Sequence, residues 1–169
     1  MIPQRNLSLL SNRLAREGGH RIPEAVLERD YCLSWFLAGL STTSLTDFLA
    51  FKGGTAIKKC YVPAYRFSED LDFTLRGVVN FEKIQEHLAL VFEYVERESG
   101  IKLQISRYDS HSHENSHTFY LGYEDPLFGA AIKEVKVDTS RINSYRVNFD
   151  MKSTLITLAC PLFLSGMRR

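Results

Sequence analysis

Apolar residues in the first fifty positions recur at helical spacing. Leu7, Leu10 and Leu14 predict one amphipathic helix, which Gly18-Gly19 stops. Pro23 suits the first turn of a second helix. There Val26, Leu33, Phe36, Leu37 and Leu40 form a stripe, and Trp35 and its aromatic neighbours are expected in the core. Ser41-Thr42-Thr43-Ser44 breaks that pattern, and residues 45–49 predict a further turn or two of helix. Residues 55–61 predict a short helix ended by Pro63. The period then changes to two: residues 71–75 alternate as a strand. Asn80 can cap a long amphipathic helix carrying Phe81, Ile84, Leu88, Phe92 and Val95, closed by Gly100. Alternation returns at Ile101, Leu103 and Ile105, again at Phe119, Leu121 and Tyr123 after a polar loop over 109–116, and at residues 132–139. Residues 154–159 predict a last strand. Helices flanking a mixed sheet make the class α/β (α+β).

The chain has 169 residues, of which 44% are hydrophobic, enough for one domain with a real core. A helical part (1–50), a core (51–158) and a short apolar tail (159–169) divide it. Net charge is +1, so any site for a polyanion must be local. Cys32, Cys60 and Cys160 are widely spaced, which suits unpaired thiols in a reducing cytoplasm. The start does not resemble a signal peptide, and the apolar run 155–164 is too short for a bilayer, which needs about 20 residues. No membrane partner is expected.

One segment concentrates the chemistry. Phe51-Lys52-Gly53-Gly54-Thr55-Ala56-Ile57-Lys58 joins a tight glycine turn to a helix start, and Arg66-Phe67-Ser68-Glu69-Asp70-Leu71-Asp72 follows. Glycines let backbone N–H groups approach a phosphate, and a helix N-terminus favours the anion. Asp70 and Asp72, spaced by two in a strand, share one face with Cα atoms about 6.5 Å apart. Like charges on one face repel, so the pair calls for a cation. In residues 132–139, Glu134, Lys136 and Asp138 share a face opposite Val135 and Val137, and an antiparallel neighbour would bring Asp138 beside the pair. Three carboxylates can hold Mg²⁺ (or Mn²⁺) with triphosphate oxygens completing the set, the apparatus of nucleotidyl transfer. Asp138 is also placed to take a proton from an attacking hydroxyl. Gly53 and Gly54 are candidates for cradling phosphates. Thr55 can donate to phosphate or cap the helix. Lys58, Arg66 and Lys136 are cationic candidates, with Lys52 ranked lower and Lys59 read as solvated. Ser68 and Glu69 are expected to shape the turn. His111, His113, His117, Asp109 and Glu114 lack a second rigid pair and read as a solvated hairpin tip.

The two halves of this pattern, with Lys136-Val137-Asp138 as a third motif, resemble the AbiEii/AbiGii toxin family within the DNA polymerase beta-like nucleotidyltransferases. The resemblance spans roughly residues 33–158. It implies the nucleotidyltransferase fold and attack of an acceptor hydroxyl on the α-phosphorus of an NTP. RNA, notably tRNA, is the first acceptor it implies, with a protein acceptor as an alternative and an antitoxin protein as a partner. It also implies a further helical domain with Glu-Lys and Arg-Asp motifs, which this chain does not match. Alone, the chain is therefore expected to be a poor or inactive enzyme, truncated or a compact variant. An apolar face would be covered by self-association or a partner. A catalytically silent nucleotide-binding or interaction module is the rival reading.

Overall fold

The computed structural model describes residues 4–18, 20–77, 79–109, 116–124 and 132–141. Helices α1 (Gln4–Gly18), α2 (Glu24–Ser41) and the single turn α3 (Leu45–Phe48) come first. Strand β1 (Leu49–Lys52) runs into α4 (Gly53–Ala56), which widens into a π-helical turn over Ile57–Tyr61. Then follow β2 (Leu71–Leu75), α5 (Phe81–Ser99), β3 (Leu103–Tyr108), β4 (Ser116–Glu124) and β5 (Ile132–Arg141). The predicted strand at 154–159, the loop residues 110–115 and the tail lie outside the described residues. No helix among the described residues is long and apolar enough to cross a membrane.

The five strands form one mixed sheet in the order β1-β2-β5-β4-β3. All pairs are antiparallel except β2 with β5, which are parallel. Asp138 therefore reaches the acid strand from a parallel neighbour, not the expected antiparallel one. The link between β2 and β5 contains α5 and the β3–β4 pair, so β5 returns in the direction of β2.

Helices α2 and α5 supply the core together with one sheet face: Leu71, Phe73 and Leu75 of β2, Val135 and Val137 of β5, and Phe119, Leu121 and Tyr123 of β4 are all buried. Helix α2 is buried over almost its whole length, Trp35 included, because α1, α5 and the sheet surround it. Gly39 lets α2 approach α5 closely; a Cβ there would sit 2.9 Å from Val91 Cγ1. Helix α5 is capped as its sequence requires: Asn80 Oδ1 accepts from Lys83 N at 3.1 Å, and Gly100 closes the helix at φ 74°. Pro23 sits just ahead of α2, not inside its first turn; its carbonyl accepts from Val26 and Leu27.

Two expectations need correction. The helical part ends at Phe48, and Leu49–Lys52 is a strand that no alternation announced, four residues buried or half-buried on both faces. His117 is not at a hairpin tip but within β4, nearly buried beside Phe81, with its backbone N–H donating to Thr139 Oγ1 at 3.2 Å. His111, His113 and Glu114 lie outside the described residues.

Candidate functional site

The opposite face of the sheet carries polar residues. One register row crosses it: Lys52 on β1 pairs with Asp72 on β2, Asp72 with Asp138 on β5, and Asp138 with Thr118 on β4. Two carboxylates thus stand side by side with a lysine at one end and a hydroxyl at the other. Asp138 is held from both sides: Thr118 Oγ1 donates to Oδ1 at 2.7 Å, and Lys136 Nζ contacts Oδ2 at 2.7 Å. The Lys136 ammonium is held above its ordinary pKa, chiefly by its hydrogen bond to Asp138. Asp72 is shifted up from the usual carboxylate range by burial first and by the Asp138 charge next; Lys52 opposes this and Asp70 adds to it.

Gly53 closes over Asp72. Its φ is +77°, and a Cβ there would overlap the Asp72 carboxylate, lying 2.9 Å from Cγ. Glycine is required twice, for the left-handed backbone and for the close approach. Gly54 packs on Ser68, whose Oγ would be 3.0 Å from an added Cβ. Gly53→Ala is expected to cost about 1–2 kcal/mol from the backbone alone and to displace Asp72. A thermal melt should show both the loss of stability and a reduced response to Mg²⁺ with NTP.

The remaining candidates divide. Asp70 lies just before β2 and is exposed, and its charge acts on both Asp72 and Lys136. Thr55 turns inward, buried, and donates to the Asp70 carbonyl at 2.6 Å; it fixes the acid loop instead of facing a phosphate or capping the helix. Lys58 donates to the carbonyls of Pro63 and Tyr65 at 3.0 and 2.9 Å and lies over the Phe67 ring. It ties down the loop and is not aimed at the acid pair; burial lowers its pKa. Arg66 is exposed on that loop. Glu69 pairs with Arg29 of α2, consistent with a role in shaping the turn.

Lys59, read from sequence as solvated, is instead a buried charge. Its side chain is 2% exposed, and its three protons go to Asp30 Oδ2 at 2.6 Å, Ser34 Oγ at 2.7 Å and the Asp30 carbonyl at 3.3 Å. Helix α2 thus grips both limbs of the site, through Asp30 to the π-helical turn and through Arg29 to the acid loop.

Sequence reasoning underrated Lys52. Its ammonium donates to Ser140 Oγ at 2.8 Å across β2, on the acid-bearing face. The pairing of β1 with β2 puts it there, and the missed strand hid that pairing. Thr118 had no signal at all.

Among the described residues, no group of three His, Cys, Asp or Glu side chains stands ready to hold a metal ion. The residues that could hold a divalent cation are the register-paired Asp72 and Asp138. Lys136 occupies part of that role and would have to release Asp138.

No curated protein sequence matches the chain. Among solved structures it is similar to MenT4, a nucleotidyltransferase toxin of Mycobacterium tuberculosis H37Rv, with 21% identity and a TM-score of 0.55 over 83% of this chain. That likeness shows a shared fold, and the chain spans 44% of that structure's length. Residues 35–152 match the family described as nucleotidyl transferase AbiEii toxin, type IV TA system. This match takes in the glycine turn, the Asp70/Asp72 pair and Asp138, and the chain belongs to the AbiEii nucleotidyltransferase toxin family of type IV toxin–antitoxin systems.

Proposed function

We propose that the chain carries the transferase site of a toxin that moves a nucleoside monophosphate from an NTP to an acceptor hydroxyl, with RNA as the acceptor. The observation that supports this most is the row Lys52–Asp72–Asp138 with Gly53 closed over Asp72. Gly53 and Gly54 would receive the terminal phosphates on backbone N–H groups. Lys52, and Lys136 once it leaves Asp138, would face the triphosphate charge. Asp72 and Asp138, with Asp70, would hold Mg²⁺ or Mn²⁺, which when bound neutralises charge building on the leaving pyrophosphate. The acceptor oxygen forms a bond to the α-phosphorus, the bond from that phosphorus to the β-phosphate oxygen breaks, and the hydroxyl proton passes to Asp138. An antitoxin protein is the expected partner of the whole toxin.

A second reading, nucleotide binding without transfer, is favoured by one observation: both Asp138 oxygens are already engaged. The test is to incubate the chain with Mg²⁺, each α-labelled NTP, total RNA and total protein. Label that RNase removes supports transfer to RNA, and label that protease removes moves the acceptor to protein. A melting shift with Mg²⁺ and NTP but no label supports the silent module. Absence of both the shift and the label would refute the proposal.

A further inference from the structure

The open face continues beyond the acid pair. In the row next to Asp138, Lys136 on β5 pairs with Tyr120 on β4, and Tyr120 with Arg107 on β3. The Arg107 guanidinium lies over the Tyr120 ring, its carbon 3.4 Å from the ring centroid. Glu134 fixes it there, with Arg107 Nε 2.9 Å from Oε2. The Arg107 side chain is 57% exposed, so it stays accessible from solvent while it covers the ring. The result is a prebuilt stack, a tyrosine ring carrying a planar cation, in the row beside an acid that faces the transfer site.

The direction of the chemistry gives this row a use. In phosphoryl-type transfer the attacking and leaving oxygens lie roughly in line through the phosphorus. The glycine turn stands at the β1 end of the Lys52–Asp72–Asp138–Thr118 row. Pyrophosphate held there requires the acceptor to enter from the opposite end, over β4 and β3. Past Asp138 it meets Lys136, Tyr120 and Arg107. Unpaired bases stack on aromatic rings and on arginine planes, and lysines take the adjoining phosphates. A peptide acceptor docking by its side chains would want an apolar groove, whereas this row is charged and aromatic.

We propose that Tyr120 and Arg107, in the row beside Asp138, form the binding site for an unpaired RNA end, a base stacking on Arg107. The direction of entry rests on the transfer reading above; the stack itself does not. The test is fluorescence anisotropy of a short single-stranded RNA carrying a 5′ fluorescein, in the absence of NTP and divalent metal. Wild-type protein should bind it. Arg107→Ala and Tyr120→Ser should each weaken binding about tenfold, and Tyr120→Phe should retain it. Arg97 provides the control, an exposed arginine lying over the Tyr94 ring on α5, outside this row; Arg97→Ala should leave the affinity unchanged. Thermal melts confirm that each variant is folded. No binding by wild type would overturn the proposal, as would equal affinities for wild type and Arg107→Ala, or an equal loss in Arg97→Ala. The transfer reading fails separately: if wild type shows no melting shift with Mg²⁺ and NTP yet RNA binding still depends on Arg107, the RNA site stands and the reading falls. A shift with no RNA binding has the reverse meaning.

Discussion

Asp72→Asn is expected to abolish labelling and the melting shift with Mg²⁺ and NTP, while making the unliganded protein more stable. Both effects have one origin. Burial and the neighbouring Asp138 disfavour the Asp72 carboxylate, whose pKa is raised. For an acid with a raised folded-state pKa, the folded form binds protons that the unfolded form has released. Stability therefore falls as pH rises from the ordinary aspartate value through the higher folded one, and stays reduced at neutral pH. The amide keeps the shape and removes the charge. Relief of one like-charge pair on a strand is worth a few tenths of a kcal/mol up to about 1, a rise in Tm of about 1–3 °C. Melts across the acid range should also show a flatter pH profile for the variant. A less stable Asp72→Asn protein, or one that keeps its nucleotide response, would show that the acid pair is not a strained cation site.

Asp30→Ala is expected to be the most damaging single change away from that pair. It removes the carboxylate that faces the buried Lys59 ammonium at 2.6 Å. Removing one member of a buried ion pair costs about 3–5 kcal/mol, against a total of about 5–15 kcal/mol for a typical domain. The melting midpoint should fall by roughly 10 °C or more. The double change Asp30→Leu with Lys59→Met removes both charges together and should recover most of the loss, because well-packed apolar side chains replace a buried pair at little cost. Chemical denaturation of the three proteins measures this directly. If Asp30→Ala alone costs less than about 1 kcal/mol, the pair is not the clamp the geometry suggests.

Much of this architecture was legible in the residues. The strand at 71–75, the capped helix from Asn80 to Gly100 and the alternation at Phe119, Leu121 and Tyr123 all appear as expected, because each obeys a local period with its own stop signals. The glycine turn was readable because a left-handed backbone at Gly53 calls for glycine, and the acid strand because its buried and half-buried positions alternate. What escaped depended on pairing. Leu49–Lys52 is too short and too evenly buried to alternate, so neither the strand nor the place of Lys52 beside Asp72 was visible. The parallel sense of β2 and β5 is likewise a property of the whole connection. Lys59 was misread because a lysine looks solvated until its partner is known, and Asp30 lies a full helix away in sequence. Thr55 and Lys58 showed their helical positions but not which way each side chain would point.

The position of β5 between β2 and β4 has a consequence for how the protein comes into being. Before residues 132–141 are in place, β1–β2 and β3–β4 can exist only as separate two-stranded ribbons, each with an unpaired edge. Ribbons of that size are marginal by themselves, and non-local parallel pairing is slow because the long loop must close first. Asp72 gains Asp138 as a neighbour only when β5 pairs with β2. During synthesis, then, the chain would pass through a stage in which the glycine turn and first acids are already made but cannot work together. Until β5 is in place, the edges of β2 and β4 that it will cover are the surface a chaperone would meet first.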